Sequence, residues 1–367
     1  MMSDRVYNFS AGPACLPESV LKQAQKDIWN IYDSGIGILE HSHRNKYFDR
    51  VTEETEADCR AVGDIPDDMS IFWMQGGATS QCYMVPANFL SADRTADYFQ
   101  TGKWANDSIN EVHLYGNVHI CGSSKDKNYS YIPKGSQVQS SDNPAYVQFT
   151  SNNTIMGTEF KENPATPGSS FLVADMSSNI YSRPMDFSKY GLVYAGAQKN
   201  LGPAGVTLLI GKKSLIDNPV RELPKMMQYG LVAKKEGRYN TPPTFGVYLM
   251  GQVFKWIIAE GGLTAMEEIN REKAAIIYDF IDSQDFFSPH AETEDRSDMN
   301  ITFKCPTPEL DAQFISEADA KGLTTLAGHR AIGGMRASIY NAFPKAGCEA
   351  LVAFMKDFSH THAGATA

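Results

Sequence analysis

The sequence predicts an α/β fold: a large domain on a mostly parallel central sheet, followed by a smaller α+β C-terminal domain. Three observations carry this. From Met69 onward short apolar runs alternate with helical or polar stretches, as in strands covered on both faces. A long apolar-striped helix pattern over 243–260 stops at Gly261-Gly262, a natural end to a domain. The 367 residues, 42% of them apolar, also exceed what one core usually holds.

The elements follow in order. After an extended opening, 17–32 reads as a helix, with Pro17 at a first-turn position and Leu21, Ala24, Ile28 and Ile31 at helical spacing. The strand candidates are SIFWM (70–74), ADYF (96–99), EVHLYG (111–116), AYVQF (145–149), SFLVAD (170–175), GLVYAG (191–196) and VTLLIG (206–211). In the long helix, Val247, Met250, Phe254 and Ile257 share one face. Beyond the glycine pair come a helix over 263–281, the strand MNITFKC (299–305), a helix over 308–320 and the strand MRASIY (335–340). An apolar-striped helix follows over 348–358, and the last eight residues read as a frayed tail.

Acidic residues outnumber basic ones by 43 to 33, so the net charge of -10 offers no general attraction to nucleic acid or anionic lipid. Any anionic ligand needs a local basic cluster. No secretory pattern and no apolar run of membrane-spanning length is present, which predicts a soluble, cytoplasmic chain. Cys15, Cys59, Cys82, Cys121, Cys305 and Cys348 are scattered without a CxxC pair, so neither a zinc cage nor a disulfide framework is expected. His41 and His43 match a metal-ligand spacing, but no carboxylate or cysteine completes the set and no metal is expected.

The chemistry concentrates in a few segments. In GLVYAGAQKNLGPAGVTLLI two β-type runs flank a turn of small residues that holds Lys199. Taken alone, this equally describes a solvated loop lysine. Asp175 falls at the C-terminal end of the run SFLVAD, the edge at which α/β sheets bind ligands, although a cap on the following turn is the commoner use of such a residue. Together a lysine and a carboxylate so placed suit pyridoxal phosphate: the lysine forms the Schiff base and the aspartate keeps the pyridine nitrogen protonated. In MQGGATSQ a strand ends at Gly76-Gly77, and Ala78, Thr79 and Ser80 open a helix whose amides can bind the cofactor phosphate. There is no Walker lysine and no GxGxxG turn. Trp104 can stack on a flat ring or fill the core, while Thr154 and Gln198 are candidate hydrogen-bonding groups. His43 and Arg44, with His329, Arg330 and Arg336 among Gly328, Gly333 and Gly334, suit recognition of a small polyanion.

Taken together these segments resemble the phosphoserine aminotransferases, pyridoxal-phosphate enzymes of fold type I and class V. The resemblance runs nearly end to end, through NFSAGPA, HSHR, GGATSQ, TGKWA, TSNNTI, DMSSNIYSRP, YAGAQKNLGPAGVTLLI, YNTPPTF and GHRAIGGMRASIYNA. It implies that Lys199 carries the cofactor and acts as base, that Asp175 faces the pyridine nitrogen, and that Trp104 stacks on the ring. It also implies that Thr154 and Gln198 contact the ring or phosphate and that Ala78 and Thr79 meet the phosphate. Asn240 and Thr241 match positions that reach the cofactor phosphate of the neighbouring subunit, implying a homodimer with composite active sites. His43, Arg44, His329, Arg330 and Arg336 match positions that grip the carboxylate and phosphate of L-glutamate and a phosphorylated 2-oxo acid. The domain division it implies is 1–20, packing with the small domain, then 21–261 and 262–367. Gln148 and Asn153, and Ala78-Thr79 in place of a Gly-Arg found in some members, depart from the family pattern without removing a group the chemistry needs. The alternatives are another fold type I enzyme, an alanine:glyoxylate-type aminotransferase or a cysteine desulfurase, or a non-catalytic binding protein on that fold.

Overall fold

The computed structural model describes residues 5–362. The chain opens with β1 (Tyr7–Asn8) and α1 (Glu18–Trp29), whose Glu18 and Lys26 stand at the ends that the helix dipole favours. α1 stops short of the expected Tyr32: that residue has φ 53° inside a 3-10 turn, and Trp29 is left 85% exposed. α2 (Lys46–Gly63) starts at Asn45, whose side chain accepts from the amides of Tyr47 and Phe48.

There follow β2 (Met69–Gln75), α3 (Gln81–Phe89), β3 (Thr95–Gln100), α4 (Lys103–Val112), β4 (Asn117–Ser123) and β5 (Val147–Thr150). Next come the small hairpin β6 (Asn152–Asn153) and β7 (Thr158–Glu159), then β8 (Leu172–Asp175), β9 (Tyr190–Gly196) and β10 (Val206–Lys212). The seven long strands form one sheet in the order β2-β10-β9-β8-β5-β3-β4, in which only β10 runs antiparallel to its neighbours. The carboxyl ends of β2, β3, β5, β8 and β9 therefore lie along one edge.

The expected strand over 111–116 is corrected. Ala105, Ser108, Ile109 and Val112 are the buried face of α4, so the run EVHLYG is the end of a helix and its turn. The strand is the following segment, β4 at the sheet edge, whose polar composition hid it.

After α5 (Lys213–Ile216) and α6 (Tyr229–Lys234), α7 (Thr244–Ala259) packs on α2. Gly251 permits this approach: a Cβ there would stand 2.4 Å from Thr55 Oγ1. Gly261, at φ 100°, turns the chain into α8 (Gly262–Asp282). β11 (Ser288–Pro289), β12 (Asn300–Lys304), α9 (Pro308–Ala320), β13 (Leu323–Thr324), β14 (Met335–Ser338) and α10 (Lys345–Thr361) complete the fold. His360 and Thr361, expected in the tail, finish α10, and residues 363–367 lie outside the described residues. β11, β12 and β14 form an antiparallel sheet, and the helices gather on a core centred on Phe314, which meets Phe287, Phe303, Phe354 and Phe358. Phe9 joins this core, and β1 pairs with β13 in parallel. From this separate core we propose the boundary at 261/262, with the opening segment on the small domain. Unfolding followed by hydrogen exchange would overturn it if the Phe314 core and the large sheet exchanged as one unit.

Candidate active site

Five loops at the carboxyl edge of the sheet bring the predicted residues into one region. Lys199 lies between β9 and β10, Asp175 ends β8, Thr154 sits in the β6–β7 hairpin beyond β5, Trp104 is in the first turn of α4 after β3, and Gly76-Gly77 follow β2. Lys199 Nζ donates to Thr154 Oγ1 at 2.7 Å and stands 5.6 Å from the centre of the Trp104 ring. Loss of hydration lowers its pKa to about 8, against the pull of Asp175 and with help from Arg336. This is not a solvated loop lysine.

The Asp175 side chain makes the turn cap weighed from the sequence and also faces the lysine charge. Its Oδ1 caps the next turn, accepting from Ser177 N at 2.9 Å and Ser177 Oγ at 2.6 Å, and the carboxylate still acts on the Lys199 charge. Ser177 Oγ also accepts from Gly196 N, which ties the carboxylate to the strand leading to Lys199. Trp104 Nε1 and Gln198 Oε1 are buried without partners. Unpaired polar atoms beside a half-buried indole fit a flat heteroaromatic group that brings its own hydrogen-bonding atoms.

A Cβ on Gly76, which has φ 91°, or on Gly77 would have nothing within 4 Å of it, so a ligand can approach the backbone there. Ala78 and Thr79 lie in a 3-10 turn that precedes α3 rather than in the α-helix itself. Gly76, Gly77 and Thr79 open on a cavity of about 570 Å³. Asn240 and Thr241 are exposed, and Asn240 Nδ2 donates to Gln75 Oε1 at 2.9 Å at the end of β2.

The predicted basic residues form two groups. Arg336, on β14, donates from Nη1 to Thr154 O at 3.4 Å, its Nε is buried without a partner, and no carboxylate pairs with it among the described residues. His329 and Arg330 share its neighbourhood, where burial followed by Arg336, Arg330 and Lys103 lowers the His329 pKa. The loop that carries them closes tightly, since a Cβ on Gly328 would lie 2.2 Å from Gly333 O. His43 and Arg44 instead bond each other and line a separate cavity of about 350 Å³ with Lys234, Lys235, Glu236 and Arg238. His41 is buried with its ring nitrogens on Ser34 and Asn45. Gln148 donates from Nε2 to Tyr194 OH while its Oε1 is buried without a partner, and Asn153 bonds Thr101 and Thr158.

Two further residues enter the region through the structure alone: Ser177, which orients Asp175, and Asn341, whose amide donates to Asn200 Oδ1 at 3.0 Å beside Lys199. Ser177 was legible in principle as an Asp-x-Ser turn. Nothing in the residue type of Asn341 marks its partner.

The chain matches the family model for aminotransferase class-V over residues 6–351. It is 49% identical over 358 residues to a phosphoserine aminotransferase of Desulfotalea psychrophila, covering 98% of this chain and 99% of that one. Among solved structures, phosphoserine aminotransferase from Bacillus circulans subsp. alkalophilus superposes with a TM-score of 0.95 at 45% identity, over 98% of this chain and 100% of that one. The pyridoxal-phosphate-bound phosphoserine aminotransferase of Trichomonas vaginalis gives a TM-score of 0.92 at 36% identity, over 96% and 100%.

Proposed function

The chain belongs to the class-V aminotransferase family, among the phosphoserine aminotransferases, and we propose how its residues carry that reaction. The reaction is the reversible transfer of an amino group between L-glutamate and 3-phosphohydroxypyruvate, giving 2-oxoglutarate and O-phospho-L-serine in a ping-pong cycle in serine biosynthesis. The observation that carries the reading is a desolvated lysine amine, fixed on Thr154 beside Trp104 and Asp175, with Arg336, which no carboxylate among the described residues pairs, next to it on Thr154 O.

When bound, pyridoxal phosphate supplies an aldehyde that carries the amino group and a ring that draws electrons from the substrate α-carbon. Lys199 Nζ takes the proton from that carbon and returns it, a task suited to an amine whose pKa lies near 8. The Thr154 hydroxyl holds Nζ in place, and Asp175, oriented by Ser177, would keep a proton on the ring nitrogen. Trp104 and Gln198, with their unpartnered polar atoms, would hold the ring, and Ala78 and Thr79 with the open backbone at Gly76-Gly77 would hold the phosphate. Arg336, with His329 and Arg330, pairs with the anionic groups of the substrates.

His43 and Arg44 do not join Arg336 within one chain, and Asn240 and Thr241 are exposed, which supports a homodimer in which a second copy supplies them. Of the alternatives, a desulfurase needs an accessible thiolate. Cys305 and Cys348 are buried, and burial raises both pKa values, that of Cys348 to about 12. Six thiols outside any disulfide support the cytoplasm as the compartment, and no helix among the described residues is long and apolar enough to cross a membrane. Fractionation of cells would test it, and recovery outside the cytoplasm would overturn it.

The test of function is the absorbance spectrum of the purified protein with pyridoxal phosphate. L-glutamate should convert the visible band to a near-ultraviolet one, and 3-phosphohydroxypyruvate should restore it. In Arg336→Ala the KM of both substrates should rise by about 10- to 100-fold, the range for a lost charge-assisted pair, with the cofactor spectrum unchanged. An unchanged KM would remove Arg336 from the site.

A further inference from the structure

Lys273 is fully buried on the inner face of α8, and no carboxylate pairs with it among the described residues. Its Nζ donates to main-chain carbonyls instead: Ile339 O at 3.0 Å, Tyr340 O at 2.8 Å, Asn341 O at 3.3 Å and Phe343 O at 3.2 Å. An ammonium has three protons, so four carbonyls share them. Carbonyl dipoles that converge on one point repel each other unless a cation sits among them. Packing alone gives no reason for the charge, because a buried unpaired ammonium is costly and an apolar side chain of similar length fills the same space.

The segment so gathered, 339–343, joins the two halves of the site. It continues from β14, which carries Arg336. It also crosses to the large domain: Asn341 N donates to Asn200 Oδ1 at 3.0 Å and Asn341 Nδ2 to Tyr181 O at 2.8 Å. Asn341 Oδ1 accepts from Asn270 Nδ2 at 2.8 Å, one turn before Lys273 on α8. Asn200 is the neighbour of Lys199, and its own Nδ2 is anchored on Ile180 O at 2.7 Å.

We propose that Lys273 is a positioning residue for amino transfer: its ammonium gathers the 339–343 carbonyls into the bend that presents Asn341 to Asn200, and so sets Lys199 relative to Arg336. This rests on Lys199 being the reacting amine. The connection runs through main chain and two asparagines, all buried, so a loss at Lys273 is delivered to the turn that holds Lys199 rather than dispersed to solvent.

The test uses the holoenzyme. Lys273→Met keeps the stem and removes the charge. It should lower kcat by about 10- to 100-fold, the cost of a displacement of about 1 Å at the reacting groups, with KM changed less than about twofold. The pH midpoint of the cofactor absorbance band should shift as well. Asn200→Ala leaves Lys273 its carbonyls and should give the same signature, and the double variant should be no slower than the slower single one. A Lys273→Met enzyme with parental kcat and parental band titration overturns the proposal even if its thermal midpoint falls, and so do multiplicative effects in the double variant. Should Lys273→Met fail to fold, Asn200→Ala decides, and parental kcat and band titration there overturn it. A parent enzyme whose spectrum ignores L-glutamate would instead overturn the reading of Lys199.

Discussion

Replacing Lys199 with alanine should abolish turnover, by about 10⁴-fold or more, because in the proposed reaction one atom is both covalent anchor and proton carrier. The fold should persist: the side chain contributes one hydrogen bond, to Thr154, and its removal also relieves a desolvated ammonium. Lys199→Arg discriminates charge from chemistry. The guanidinium keeps the cation near Asp175 but does not lose its proton at any working pH, so this variant should be equally inactive. Circular dichroism and the thermal midpoint check the fold, and single-turnover absorbance with L-glutamate checks the chemistry. Turnover within about tenfold of the parent in either variant would remove Lys199 from the reaction. The alanine variant also tests the proposed dimer. Its protomer retains Arg44, whereas an Arg44→Ala protomer retains Lys199. Random reassortment makes about half of the dimers mixed, each with one intact composite site, so the mixture should regain about a quarter of parental activity. A mixture no more active than its parts, after exchange is verified by differential tags, counts against a shared site.

What the sequence disclosed and what it withheld divide along a physical line. Strands buried on both faces are continuous apolar runs, and six of the seven long strands were read from them. The run EVHLYG failed because a short apolar stretch at the end of α4 has no period of its own, and β4 at the sheet edge is too polar to stand out. The nearness of Lys199 and Asp175 is legible because Asp175 ends β8 and Lys199 lies in the turn after β9, and the carboxyl ends of parallel strands share one edge. The grouping of the basic residues was not. Residue types announce an anion site, but whether His43 and Arg44 face their own Arg336 or a second copy depends on the path of 30–45, which is irregular. Lys273 and Asn270 interrupt the buried stripe of α8 at Met266, Ala274 and Ile277, and that interruption is visible in the sequence. Their partners are main-chain carbonyls and an asparagine some 70 positions away, which no residue pattern encodes.

Asp175→Asn separates the cap that the carboxylate makes from the role proposed for its charge. Asparagine has the same shape, and its Oδ1 can still accept from Ser177 N and Oγ, so the turn after β8 should be kept. What disappears is the negative charge. A neutral amide presents a donor or a weak acceptor to the ring nitrogen and does not hold a proton there, so kcat should fall by about 10³-fold, as when one preorganised group at a developing charge is lost. The effect on Lys199 has the opposite sense. Burial lowers the Lys199 pKa to about 8 while Asp175 opposes that lowering, so without the charge the pKa falls further and the amine is neutral at lower pH. Uptake of pyridoxal phosphate by the apo-protein, which needs the neutral amine, should rise through about pH 8 in the parent and have a lower midpoint in Asp175→Asn. The variant therefore takes up cofactor readily at a pH where the parent is slow, and yet turns over poorly. A kcat within about tenfold of the parent would deny the carboxylate its part in the chemistry. A midpoint displaced upward would show that it does not act on the lysine charge.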